Sequence, residues 1–455
     1  MGSGPARRLC RVLNLLSREI EGLKAAQPNL GSVAHGRVHS CNGGLIEVSG
    51  LPAPIGTIAR VESEAGGEEA PAEVIGFRGG YSLMMLLGDT TRLKPGARVR
   101  AEGAPGMVQV GEEFIGRAVD ARGRPIDGGP PIRARKAWPL GGHREAALER
   151  ASVTDPFDTG IRAINALTTM GVGQRMGIMA GSGVGKSVLI DMIADGAQCD
   201  VAVVGLIGER AREVSDFVAR HMQGETRERT VVVAVPADHA ANLRLRGGRF
   251  ATSLAEYFRA QGKRVLLILD SLTRVAHAAR EVGLLLGEPG AARGYPPSAL
   301  ATITGLVERA GNSSTSGGAV TGLYTVLADG DDHNDPVVDT ARAILDGHIV
   351  LSRDLAQRGQ YPAIDIPASL SRVMTAVADE AHIEDARRFR ALVADYEANR
   401  DLVLMGAYRQ GADPAVDRAM QMHEALSAFL CQRASEKSDL AQSAQALSRI
   451  INGDG

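Results

Sequence analysis

The stretch RMGIMAGSGVGKSVLIDMIADG at 175–196 constrains the fold more than any other. An apolar run, a glycine-rich turn ending in Lys-Ser and a helical pattern follow one another directly. That is the strand–loop–helix context of a phosphate-cradling P-loop. Gly181, Gly183 and Gly185 let backbone N–H groups turn toward phosphate oxygens with no Cβ in the way. Ser182 and Val184 lie between them, and Val188 follows in the first helical turn. Lys186 is placed to reach the β- and γ-phosphates, and Ser187 to offer its hydroxyl to Mg²⁺. The first position of the pattern is Ala180 rather than Gly. A plain glycine-rich turn before a helix is the competing reading, and the GKS ending in this context speaks against it.

Other candidates are weaker on residues alone. The run VLLILD (265–270) delivers Asp270 at the end of an apolar strand, which suits a carboxylate serving Mg²⁺. An Asp there also caps helices; its place downstream of the P-loop favours the metal role. Glu209 follows the run VAVVGLI (201–207), where strand ends face a nucleotide cleft, so it could polarise water for attack on a γ-phosphate. A helix N-terminal Glu favoured by the macrodipole fits equally well. Arg274 lies one helical turn beyond Asp270, and Arg372 sits in SLSRVM; each is a phosphate ligand or an ordinary surface arginine. Tyr361 in YPAID either stacks on a base or is a buried structural tyrosine.

The surroundings read as an α/β chain in parts. Residues 1–28 form a basic amphipathic pattern, with Leu9, Val12, Leu13, Leu16, Ile20 and Leu23 at helical spacing. It predicts a helix packed on its own domain or one that docks a partner or a membrane surface. Residues 29–105 hold short runs cut by Gly and Pro, a small β-barrel or sandwich. Residues 106–150 read as turns and a Pro-rich linker. From 151 to 375, the runs RMGIMA, VAVVGLI, TVVVAV, VLLILD and TGLYTVLA alternate with helical patterns, predicting a buried parallel sheet. Residues 376–455 turn helical. The balance of 51 Lys+Arg against 53 Asp+Glu excludes nucleic-acid binding by bulk positive charge. Four distant cysteines without a CxxC pair speak against a zinc site or a disulfide framework. With no apolar stretch of spanning length, a cytoplasmic chain is expected.

The motifs together resemble the type III export ATPases, relatives of the catalytic subunits of rotary ATPases. The resemblance runs from about 30 to 450 and is carried by GRPIDG, PFDTGIRAIN, AGSGVGKS, GLIGERAREV, VLLILDSLTR, LGEPGAARGYPPSAL, DGDDHNDP and YPAIDIPASLSRVM. It implies a small N-terminal β-barrel, a RecA-like P-loop domain and a helical C-terminal domain. It also implies Mg²⁺-dependent ATP hydrolysis by a homohexamer for flagellar protein export. Glu209 then becomes the water-activating carboxylate and Arg210 an aid in ordering the γ-phosphate. Lys186, Ser187 and Asp270 become the phosphate and metal ligands, Arg274 a residue near the phosphate, Tyr361 the aromatic against adenine. Arg372 becomes a finger offered to the neighbouring subunit. The partners implied are a stator-like regulatory dimer on residues 1–28, a membrane export gate and export chaperone–substrate complexes, at the inner face of the membrane. An injectisome ATPase is the nearest alternative. A rotary catalytic subunit is disfavoured by the absence of GGAGVGKT. A ring-shaped RNA translocase is disfavoured by a β-domain with only Phe77 and Tyr81 as aromatics and with Glu62, Glu64, Glu68 and Glu69. Asn165, the run HAANLRLRGGRFATSLAEY and PSALATITGL depart from the resemblance.

Overall fold

The computed structural model describes residues 34–63, 69–88, 93–143, 146–327 and 335–453. The expected helix over 1–28 and most of DGDDHNDP lie outside them. The apolar runs become the middle of one sheet. Its strands lie in the order Ile364–Ser371, Gly347–Leu351, Arg175–Ala180, Ala319–Leu327, Arg264–Asp270, Val201–Ile207, Thr230–Val235 and Arg117–Val119. Neighbours pair in parallel except the first two, which are antiparallel. Val201–Ile207 and Thr230–Val235 are buried at every position, as strands covered on both faces must be. Side chains alternate between the two layers. Val201, Val203 and Ile207 pack under the Ala241–Ala260 helix, whereas Val204 and Leu206 pack under Lys186–Gly196.

The barrel closes in the strand order His35–Asn42, Leu45–Ser49, Tyr81–Leu86, Glu69–Arg78, Ile58–Glu62, Arg98–Glu102. Gly79 (φ 57°) and Gly80 (φ 83°) make the two-residue turn between Glu69–Arg78 and Tyr81–Leu86. Both positions need left-handed backbone, so two glycines meet there. The small inner core comprises residues such as Ile46, Val61, Val74, Met84 and Val99.

Residues 106–150 are not the expected linker. Arg117–Val119 is the outer parallel strand of the main sheet. Asp127 holds Arg117 through bonds of 2.7 and 2.9 Å, which keeps its carboxyl well below the usual range. Trp138, Val110 and Phe114 enter the same core as the central strands. The strand has only three residues, too few to show period-2 alternation, and its pairing is with a segment over a hundred residues away.

The C-terminal helices Glu380–Leu404, Pro414–Leu430 and Leu440–Asn452 start at Asp379, Asp413 and Asp439. Each Asp accepts a backbone N–H of its helix's first turn, which satisfies a donor that would otherwise be orphaned. Phe389, Phe429 and Leu447 bury against the sheet layer that holds the P-loop helix. Among the described residues no helix is long and apolar enough to cross a membrane.

Candidate active site

Parallel strands deliver Ala180, Ile207 and Asp270 to the same edge of the sheet, where α/β folds place their ligands. The Arg175–Ala180 strand ends where the glycine-rich loop begins, and the Lys186–Gly196 helix starts directly after it. Of the three loop glycines, Gly183 (φ 78°) and Gly185 (φ 87°) take left-handed backbone; Gly181 does not. Gly185 is the N-cap, and no side chain caps the helix, so its first N–H groups remain available to an anion. A Cβ at Gly185 would also stand 3.4 Å from the Tyr361 ring. Val184 is buried beneath the loop, while Ser182, Ser187 and Val188 are exposed.

Lys186 brings two of the candidate carboxylates together. Its Nζ donates to Glu209 Oε1 at 3.1 Å and to Asp270 Oδ1. Asp270 is buried, and its Oδ1 also accepts from Thr325 Oγ1 at 2.6 Å. Thr325 is a site residue that no motif announced. Burial pushes the Glu209 carboxyl above the ordinary carboxylate range, and the nearby Asp270 charge adds to this, against the pull of Lys186. Burial works against the Lys186 charge, but Asp270 and Glu209 outweigh it, and its pKa is raised. Glu209, Asp270 and the exposed Ser187 line a cavity of about 170 Å³ with Asp191, Glu213 and Asp216. Arg220 lines the same cavity and with His221 engages Asp191, so the oxygens that fit a hard divalent cation are those of Ser187, Glu209 and Asp270. Among the described residues no group of three or more His, Cys, Asp or Glu is arranged to hold a metal alone. An Mg²⁺ ion here would therefore complete its shell with phosphate oxygens and water, as Mg²⁺ does in nucleotide sites.

The arginines divide. The stem of Arg274 lies against Gly208, where an added Cβ would stand 2.7 Å from Arg274 Cβ. Its Nε is buried without a hydrogen-bond partner, one residue from the backbone of Glu209. Arg210 is exposed, 3.7 Å from Glu213 at the start of the Ala211–His221 helix. Arg372 is exposed at the end of the Ile364–Ser371 edge strand, where its Nη2 donates to the Arg342 carbonyl at 3.4 Å. It lines neither cavity at the loop.

Tyr361 (47% exposed) and Val188 (48% exposed) stand on the other side of the loop. They border a cavity of about 570 Å³ completed by Pro362, Cys431, Gln432 and Arg433. The 431–433 segment was missed at the level of sequence, for it carries no motif. Its attachment is nevertheless specific. The Gln432 backbone N–H donates to the Tyr361 carbonyl at 2.9 Å, and Gln432 Nε2 to the Gly160 carbonyl at 2.9 Å. Asn165, fully buried, holds the same junction. Its Nδ2 donates to Asp158 Oδ1 (2.7 Å) and to the Ser438 carbonyl (3.0 Å), while its Oδ1 accepts from Thr159 N and Oγ1.

A parallel sheet with a P-loop at its carboxyl edge and a shared carboxylate–lysine centre defines a nucleotide hydrolase, and the chain is an ATP hydrolase. Residues 160–371 match the nucleotide-binding domain of the ATP synthase alpha/beta family, and residues 378–449 the C-terminal domain of type III secretion system EscN ATPases. The flagellum-specific ATP synthase of Salmonella typhimurium is 48% identical over 92% of this chain and 93% of its own length. That of Pseudomonas aeruginosa is 45% identical over 96% of this chain and 98% of its own. The assembled ATPase EscN of the enteropathogenic E. coli type III secretion system superposes with a TM-score of 0.85 at 37% identity. That match covers 91% of this chain and 100% of EscN. The chain belongs to the type III export ATPase family.

Proposed function

We propose that this chain hydrolyses Mg²⁺-ATP in a homohexameric ring and so energises type III protein export for flagellum assembly. The observation that carries the reading is Lys186 held between Glu209 and Asp270 at the mouth of the P-loop. Backbone N–H groups of 181–187 cradle the phosphates, and Lys186 leaves its carboxylates for phosphate oxygens when ATP arrives. Glu209 is then free to accept a hydrogen bond from the attacking water and align it with the γ-phosphorus. Ser187 and Asp270 would hold Mg²⁺, which when bound would supply positive charge to offset the negative charge developing on the phosphates. Arg274, with its unpartnered Nε, and Arg210 order the γ-phosphate. Arg372, exposed at a sheet edge and outside its own pocket, serves the site of the neighbouring protomer. Adenine packs on Tyr361 and Val188.

Residues 1–28 dock a stator-like regulatory dimer. The ring works at the inner face of the membrane beneath an export gate and receives export chaperone–substrate complexes. The test joins chemistry to pathway. Glu209→Gln retains ATP binding but loses about 10²- to 10⁴-fold in turnover. In a strain lacking the gene, wild-type protein restores flagellin in the culture supernatant and Glu209→Gln does not. Near-normal turnover removes Glu209 from its role. Flagellin secretion that survives the deletion refutes the flagellar pathway while leaving the hydrolysis standing.

A further inference from the structure

The Ala241–Ala260 helix carries three arginines, Arg244, Arg246 and Arg249, in the run that departs from the export-ATPase wording, and Arg244 is paired with Glu281 at 2.8 Å. Arg246 is accounted for. Its Nη1 donates to Glu73 Oε2 at 3.2 Å across the barrel boundary, with both side chains nearly buried. Arg249, one turn further on, forms no hydrogen bond and no ion pair among the described residues. Burial opposes its charge, as do Arg309 and Arg246. The carboxylate acting in its favour, Glu73, is already engaged by Arg246.

Arg249 opens into a cleft of about 650 Å³ that also presents His143, Arg150, Thr302, Gly305 and Arg309. The carboxylates around this cleft are committed. Glu308 serves Arg150 at 3.3 Å and Arg175 at 3.0 Å. Glu256 takes two bonds from Arg309 and one from Trp138. Three guanidinium groups line the cleft, those of Arg150, Arg249 and Arg309, and with Arg175 drawing on Glu308 as well, the two carboxylates leave a surplus of positive charge centred on Arg249. The wall beside it is kept low. Gly305 lies inside the Pro297–Val307 helix, where glycine is a poor choice, yet a Cβ there would meet nothing within 4 Å. Gly141 is equally unobstructed.

A guanidinium drawn away from water without a counter-charge is costly, and its planar fork matches phosphate. We propose that this cleft binds a free phosphate-class anion, a mono- or diphosphate, with Arg249 as the principal donor and Arg150 and Thr302 beside it. The helix that carries Arg249 covers the sheet face opposite the Lys186–Gly196 helix, so the site is separate from the P-loop and independent of the hydrolytic reading.

The experiment is calorimetric titration of the full-length chain with pyrophosphate in a Lys186→Ala background, which removes the P-loop's own attraction for phosphate. One pyrophosphate binds per chain. Arg249→Met weakens binding about tenfold to a hundredfold, as loss of charged hydrogen bonds does. Arg249→Lys recovers part of it. Gly305→Leu, which raises the wall without touching a charge, weakens binding as well and keeps the test intact should Arg249→Met lose its fold. Without anion Arg249→Met melts no lower than its parent; with pyrophosphate the parent melts higher. Absence of pyrophosphate binding in the parent overturns the proposal, as does equal affinity in Arg249→Met and Gly305→Leu to that of the parent. So does an Arg249→Met effect on ring assembly alone, which would assign the counter-charge to a second copy of the chain.

Discussion

The two walls of the nucleotide site are built differently. The phosphate wall is charged and enclosed: the Lys186 side chain is 10% exposed, and its partners Glu209 and Asp270 are 11% and 6% exposed. It is assembled from the ends of hydrogen-bonded neighbouring strands, whose register fixes where each group stands. The wall proposed for the base is half open and apolar, with Tyr361 and Val188 near half exposure. Part of it is supplied by the 431–433 segment after the C-terminal helix Pro414–Leu430. Preorganised charge acts on the transition state, whereas apolar area acts on ground and transition states alike. Damage to the first wall should therefore appear in turnover and damage to the second in affinity.

The largest effect tests whether the phosphate wall is complete within one protomer. Arg372→Ala should lower kcat about 10³-fold, the scale of a lost arginine finger, with ATP binding largely kept. Rings mixed from Arg372→Ala and Glu209→Gln chains should regain activity. At one class of interface an intact Glu209 then meets an intact Arg372. No recovery on mixing, or parental turnover in Arg372→Ala, would mean that each protomer finishes its own phosphate wall.

The next effect attacks the base wall from behind. Asn165→Ala strips both donors from the Asp158–Ser438 junction and leaves Thr159 without its acceptor. Loss of a fully buried, fully bonded amide should cost about 3 kcal/mol. The urea midpoint reads this directly. At temperatures where the variant is folded, KM for ATP should rise more than kcat falls, because the loosened segment borders Tyr361 and not Lys186. A kcat loss larger than the KM change would erase the distinction between the walls.

The same contrast explains what the sequence disclosed. The phosphate wall was legible because its chemistry is written in contiguous residues: a loop of fixed length between strand and helix places Lys186 and Ser187 without knowledge of the rest. Asp270 and Glu209 were legible as strand-end carboxylates. Their sharing of one lysine depends on which strands are neighbours, which no local pattern encodes. Gln432 and Cys431 stand about 70 residues beyond Tyr361 in a segment without motif, and their place follows from the packing of Phe389, Phe429 and Leu447. Arg117–Val119 was lost for a related reason, a three-residue strand defined only by its distant partner.

A smaller effect sharpens the base wall itself. Tyr361→Ala should raise KM for ATP roughly tenfold, the scale of one lost aromatic stacking contact, and leave kcat within about a factor of two. Tyr361→Phe keeps the ring and should behave as the parent in steady-state kinetics. If Tyr361→Ala depresses kcat instead, the ring positions the loop through Gly185 rather than holding the base.

The smallest effect lies at the far end of the phosphate wall. His221 closes the helix that begins just after Glu209 and Arg210, and it is buried against the P-loop helix. Its Nε2 stands 2.9 Å from Asp191 Oδ1 and its Nδ1 3.1 Å from Asp195 Oδ1, with Phe217 stacked on the ring at 4.1 Å. Burial opposes the imidazolium, but Asp191 and Asp195 outweigh it, and the pKa is raised. A group whose pKa is higher folded than unfolded stabilises the fold in its protonated form. The contribution is full below the unfolded value of about 6.5 and is lost as pH rises through the folded value. A tenfold gain in proton affinity on folding is worth about 1.4 kcal/mol. His221→Gln should flatten the urea midpoint across that window, whereas Asn165→Ala should lower the midpoint and leave its dependence on pH as in the parent. A midpoint that falls equally with pH in parent and His221→Gln would place the titrating group elsewhere and deprive the phosphate wall of its brace.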